Sequence, residues 1–172
     1  MSWTTRAVAL GLFVLAAPVA RAAGVAGATC TPGDPAIQSD RYFVTAGSVN
    51  YKAGASGLVT LYCLAAIPFC SEGDYKLRLT YTDSDGAGSA VSVTAQLLRL
   101  SNANGGFLGA VPGAQLFSNF SNTTVSTSQT TSPFSFGFNF TREYFYVRVD
   151  MNRAVGTSQV ATLYGVGIEC AE

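Results

Sequence analysis

The stretch YKLRLTYTDSDGAGSAVSVTAQLLRL, residues 75–100, decides the fold class. Tyr75, Leu77, Leu79 and Tyr81 fall on every second position, with Lys76, Arg78, Thr80 and Thr82 between them. Successive side chains of a strand point to opposite sides, so a period of two predicts a strand with one buried face. Asp83-Ser84-Asp85-Gly86-Ala87-Gly88 then gathers turn-forming residues. After it the alternation resumes, with Val91, Val93, Ala95 and Leu97 inward and Ser92, Thr94 and Gln96 outward. Two alternating runs around an Asp/Gly turn predict an antiparallel hairpin.

The same period extends in both directions. Leu58 to Cys63 reads as a strand after the Gly54–Gly57 turn. Phe107–Val111 and Ala114–Phe117 read as short strands within a loose Gly-, Pro- and Ser/Thr-rich stretch that ends at Pro133. Phe134, Phe136, Phe138 and Phe140 alternate with Ser135, Gly137 and Asn139, which predicts a core-facing stripe. Phe145, Val147, Val149 and Met151 alternate with Tyr144, Tyr146, Arg148 and Asp150, and Val160–Cys170 closes the chain as a last strand. No helical period survives beyond the N-terminus. The expectation is an all-β, antiparallel two-sheet β-sandwich, jelly-roll or immunoglobulin-like, stabilised by disulfides.

The N-terminus predicts export. Arg6 lies in a short leading segment, Ala7–Ala20 is apolar, and Ala20-Arg21-Ala22 is a small-x-small cleavage pattern, which together make a signal peptide. The apolar run of about 14 residues is shorter than the roughly 20 that a membrane-spanning helix needs. The expected organisation is therefore a signal peptide at 1–22, an irregular lead-in at 23–36 rich in small residues, Pro and Gly, and a β-sandwich at 37–172. The product is expected to be secreted or periplasmic, with no transmembrane anchor in the mature chain. Loss of Arg6 and Arg21 leaves eight basic against ten acidic residues, a net charge of −2. No basic cluster exists, so nucleic acid is a poor partner.

Cys30, Cys63, Cys70 and Cys170 all lie beyond the cleavage pattern, and an even count in an exported chain reads as disulfides. Of the three possible pairings, Cys63–Cys70 with Cys30–Cys170 is the first expectation, because Pro68 can turn the short intervening stretch back on itself. Cys30–Cys63 with Cys70–Cys170 is the runner-up. Zinc is disfavoured because two C-x2-4-C knuckles are lacking.

The chain contains no histidine. That removes Ser-His-Asp and Cys-His nucleophiles, histidine-bound metals and the commonest neutral-pH base. Glu143 and Asp150 are an odd number of positions apart and face opposite ways in one strand, which argues against paired-carboxylate hydrolysis. The sequence reads as non-catalytic, with no cofactor.

Two constellations can bind. Asp83 and Asp85, with Gly86, Gly88 and Ser89, could offer hard oxygens to calcium, although the full EF-hand ligand set is absent and a plain hairpin turn explains the same residues. Tyr144, Tyr146, Arg148 and Asp150 share one strand face. Tyrosine rings can stack on a sugar while the charged pair hydrogen-bonds to it, and an ordinary solvated face is the bland alternative. The partner is then an unknown protein or a glycan. Sequons occur at Asn119, Asn122 and Asn139, to be used only in a glycosylating host. Thr123, Val125, Thr127, Gln129 and Thr131 could form one Thr-rich row. Three functional classes follow: a secreted β-sandwich with a binding or surface-structural role, a lectin-like carbohydrate-binding module that calcium could assist, and an assembling pilus-like surface subunit. Pilus subunits usually carry a penultimate tyrosine and a glycine about fourteen positions from the end; Ala171 and Gln159 stand there.

Overall fold

The computed structural model describes residues 22–171; the expected signal peptide at 1–22 lies outside the described residues except for Ala22. Among the described residues there are twelve strands: β1 (Ala22–Ala26), β2 (Thr31–Pro32), β3 (Tyr42–Thr45), β4 (Ser48–Tyr51), β5 (Gly57–Leu64), β6 (Asp74–Asp83), β7 (Val91–Ser101), β8 (Phe107–Phe117), β9 (Thr127–Thr130), β10 (Phe134–Ser135), β11 (Glu143–Arg153) and β12 (Ala161–Cys170). One four-residue helix, α1 (Pro35–Gln38), starts at Asp34, whose carboxylate accepts from the Ile37 amide. All pairings are antiparallel.

The first sheet runs β10-β6-β12-β4-β3, with β1 also on β12 and β9 also on β6; the second runs β2-β5-β11-β7-β8. The eight principal strands read β4-β12-β6-β9 in one sheet and β5-β11-β7-β8 in the other. That is the order of a jelly roll, so the immunoglobulin-like alternative falls.

The expected hairpin is corrected by this order. β6 pairs with β12, β9 and β10, while β7 pairs with β11 and β8. Each strand has one apolar face, and the two faces meet across the core instead of sharing a ladder. The link from Ser84 to Ala90 is long enough to cross the roughly 10 Å between packed sheets. The alternation itself holds: Tyr75, Leu77, Leu79, Tyr81, Val91, Val93, Ala95 and Leu97 are all buried. Each buried Leu or Val contributes about 1.5–3 kcal/mol.

The irregular lead-in is also corrected. Ala22–Ala26 forms β1, antiparallel to residues 165–169 of β12, and Thr31–Pro32 pairs with β5. Small residues permit this close approach: a Cβ on Gly167 would sit 2.4 Å from the Ala23 carbonyl. The composition that suggested loop is the composition this edge requires.

The disulfides are Cys30–Cys63 and Cys70–Cys170, the runner-up pairing. Cys63 lies in the second sheet, on β5. The segment after it carries the chain to the first sheet, so Cys70 arrives beside the end of β12, and Cys63 and Cys70 are parted by the crossing. Two such bridges point to an extracellular or periplasmic location. No described helix is long and apolar enough to cross a membrane.

The two ends of the sandwich differ. At the start of β6 and β11, Phe138 packs edge-on against Tyr75 at 4.8 Å and against Phe145 at 4.9 Å between ring centroids. Phe136 lies 5.1 Å from Phe138, and Phe140 stacks on Phe138 at 5.9 Å. The phenylalanine stripe is thus a graded plug rather than a strand. Only Phe134–Ser135 pairs, Phe134 is buried, Phe136 and Phe138 are half-buried and Phe140 is exposed. Both disulfides lie at or near this end. At the opposite end, Arg153 is buried and donates to three carbonyls, of Gln159 (2.7 Å), Ala55 (2.6 Å) and Thr157 (2.8 Å). The Tyr51 hydroxyl sits 2.6 Å from the carbonyls of Gly57 and Met151, and burial pushes its pKa up.

Candidate functional site

The outer face of the second sheet gathers the residues singled out on β11. Register sets its rows. Leu98 on β7, Tyr146 on β11 and Leu64 on β5 form one row; Gln96, Arg148 and Tyr62 form the next; Thr94, Asp150 and Thr60 form a third. Each row takes one residue from each strand because partners across an antiparallel ladder project to the same side. Val147, Val149 and Met151 alternate with the β11 members and are buried against the other sheet.

Tyr144, Tyr146, Arg148 and Asp150 therefore share one face, as the alternation predicts. Tyr144 is 57% exposed at its end. Tyr146 meets Tyr62 edge to face, with centroids 5.4 Å apart. Desolvation raises the Tyr146 pKa first, the neighbouring Tyr62 adds to the rise, and Arg148 opposes it. Its hydroxyl stays neutral and able to donate across the physiological range. Arg148 Nη2 lies 2.8 Å from Asp150 Oδ2, and Thr60 Oγ1 donates to Asp150 Oδ1 at 2.7 Å. These contacts hold Arg148 and Asp150 in place on the face and neutralise each other's charge.

Tyr62, Thr60 and Gln96 were not singled out from the sequence. The outward positions of Thr60 and Tyr62 follow from their alternation with Val59, Leu61 and Cys63, and that of Gln96 from its alternation with Ala95 and Leu97. Their neighbours do not, because strand order is a long-range property. Gly33 belongs to the same site: a Cβ there would meet the Tyr62 ring at 3.0 Å and Thr60 at 3.4 Å. Its amide donates to the Thr60 carbonyl at 2.8 Å, which brings the segment after β2 alongside Tyr62.

Asp83 and Asp85 are brought together differently. Asp83 is fully buried on the inward side of β6. Its Oδ2 accepts from Ser118 Oγ at 2.5 Å and its Oδ1 accepts from the Asp85 amide at 3.1 Å. Asp85 Oδ2 accepts from the Ala90 amide at 2.7 Å. Ser118 in turn accepts from the Val93 amide at 2.8 Å. Protein donors thus point at both carboxylates, and the arrangement closes the crossing between sheets. Burial raises the Asp83 pKa, against the opposing effect of the Ser118 bond. Among the described residues, no three His, Cys, Asp or Glu side chains come together as metal ligands.

The sequons separate by environment. The Asn119 side-chain amide donates to the Gly88 carbonyl, whereas Asn122 and Asn139 are exposed. The Thr row does not form: Thr131 is buried and its hydroxyl accepts from the Leu77 amide at 3.1 Å, while Ser128 and Thr130 are the exposed members of β9.

No family model and no curated protein matches the chain. Among solved structures, a family two carbohydrate esterase from Cellvibrio japonicus is similar over 88% of this chain, with a TM-score of 0.40 and 12% identity. The chain spans 33% of that structure, about a third of its length.

Proposed function

We propose that this is an exported, non-catalytic binding protein whose binding surface is the outer face of the second sheet, and that its ligand is a carbohydrate. The observation that carries this reading is the Tyr62–Tyr146 pair set directly beside the Arg148–Asp150 pair on one face. Aromatic rings offer an apolar plane to the C–H face of a sugar. Arg148 donates to hydroxyl oxygens, and the carboxylate of Asp150 accepts from hydroxyl protons. Gln96, Thr94 and Thr60 add neutral donors and acceptors around them.

The test is a glycan-array screen of the oxidised protein alongside Tyr146→Ala. The expected result is binding to a defined glycan class that Tyr146→Ala abolishes, with unchanged circular dichroism showing that the variant is folded. A folded wild type that binds no glycan, or binding that Tyr146→Ala leaves intact, overturns the reading.

A further inference from the structure

Beyond Tyr62 and Tyr146, the same face carries a second aromatic pair at its far edge. Thr94 on β7 pairs with Phe117 at the end of β8, so Phe117 projects to the same side as Thr94, Asp150 and Thr60. Phe117 lies 5.2 Å from Phe120, centroid to centroid, and Phe120 is 82% exposed. Nothing in the core requires Phe120: it is the last residue of the short turn Ser118–Phe120, in which the buried member is Ser118. Leaving a large ring this exposed costs apolar surface in water, and such rings mark contact surfaces when they cluster.

The face therefore has a symmetry of composition across its strands. Tyr62 and Tyr146 stand over β5 and β11. A polar strip of Arg148, Asp150, Gln96, Thr94 and Gln115 follows, and Phe117 and Phe120 close the β8 edge. From β5 to β8 is three strand spacings, about 14 Å. A monosaccharide cannot touch both aromatic pairs across that span, but a short linear chain can. Charge narrows the class. The strip's one cation and one anion are paired at 2.8 Å, and its remaining members are uncharged. An anionic chain finds no unpaired cation, while hydroxyls find donors and acceptors throughout.

We infer that Phe117 and Phe120 form a second subsite, and that the ligand is a neutral linear oligosaccharide lying across the strands from Tyr62/Tyr146 to Phe117/Phe120. The inference rests on the carbohydrate reading above and adds the chain length, the charge and the far contact.

Titration calorimetry tests it with disaccharides and hexasaccharides of β-linked glucose, xylose and mannose, and with a galacturonate hexamer as the anionic probe. The hexasaccharide of the preferred neutral sugar is expected to bind roughly tenfold more tightly than its disaccharide. Phe120→Ala, at an exposed position that does not threaten folding, is expected to remove most of that advantage while leaving disaccharide affinity unchanged. Phe117→Ala together with Phe120→Ala should remove the rest, and Tyr62→Ala should weaken both ligands. If affinity is independent of chain length, if Phe120→Ala changes nothing, or if galacturonate binds best, the second subsite is overturned. In those three cases, loss of binding in Tyr146→Ala keeps the carbohydrate reading standing. Binding to none of the probes overturns the second subsite, and a glycan array that is blank as well overturns the carbohydrate reading with it.

Discussion

The two ends of this sandwich are closed by opposite means. One end, where β6 and β11 begin, is filled by Tyr75, Phe138 and Phe145, and Cys70–Cys170 is covalently bonded beside it. The other end, where the same strands finish, is filled by Arg153 bonded to three carbonyls, Tyr51 between two, and Asp83 bonded to Ser118. Rings stabilise by area removed from water and tolerate many geometries. Buried polar groups must find every partner or they cost more than they contribute. The aromatic end should therefore lose stability in proportion to the area removed. The polar end should respond to the loss of a single donor.

The largest effect expected is at the aromatic end. Replacing Cys70 and Cys170 by Ser opens a loop closed across 100 positions, worth about 5 kcal/mol in the chain-entropy description. Replacing Cys30 and Cys63 opens a separation of 33 and should cost about 1 kcal/mol less. Denaturant melts of both double variants give the order, and a reversed order would mean that local strain or residual unfolded-state structure outweighs loop length.

Next come the rings. Phe145→Ala removes a buried side chain and should cost about 3–5 kcal/mol, while Phe140→Ala removes a ring that is 60% exposed and should cost less than about 1 kcal/mol. Equal losses in thermal melts would break the idea that the plug is graded. At the other end, Arg153→Met keeps much of the length but leaves three carbonyls without their donor, so a loss of about 2–4 kcal/mol is expected. A stability within error of wild type would show that water replaces the guanidinium there.

The smallest effect is the pH dependence of Asp83. Its folded pKa is raised, chiefly by desolvation, so its contribution to stability is fully present below the ordinary carboxylate pKa of about 4. The contribution is lost as pH rises through the higher folded value. Asp83→Asn does not titrate, so wild type should lose ground relative to this variant as pH rises above about 4. A difference that stays flat with pH in paired thermal melts would mean that the Ser118 and Asp85 bonds cancel the burial.

The contrast also explains what could be read from the sequence. Period-two alternation reports solvent on one side and core on the other, so the buried faces of β6, β7 and β11 were legible from Tyr75, Val91 and Val147 onward. The shared face of Tyr144, Tyr146, Arg148 and Asp150 was legible for the same reason. Alternation is silent about which strand lies alongside. Residues 75–100 consequently looked like a hairpin, and the disulfide expectation took the pairing that local turning favoured. Tyr62 and Gln96 joined Arg148 only through the order β5-β11-β7. The polar end was the least legible, because Arg153 finds Ala55 98 positions away and no local pattern marks a carbonyl as an acceptor.

The disulfide connectivity also fixes how the molecule can carry a pull. Ala22 lies opposite Glu169, so force applied at Ala22 and Ala171 first unzips β1 from β12, one rung at a time. It then reaches Cys30 and Cys170 and passes through the bridges to Cys63 and Cys70. The covalent path that carries the force between those two points contains only residues 22–30, 63–70 and 170–171, roughly 19 residues, or about 65 Å when taut. Residues 31–62 and 71–169, which hold nearly all of both sheets and nearly all of the binding face, hang outside that path as two closed rings. Under tension the bridged protein is a short tether carrying slack loops, and it cannot be drawn out to its full contour length until a bridge is reduced.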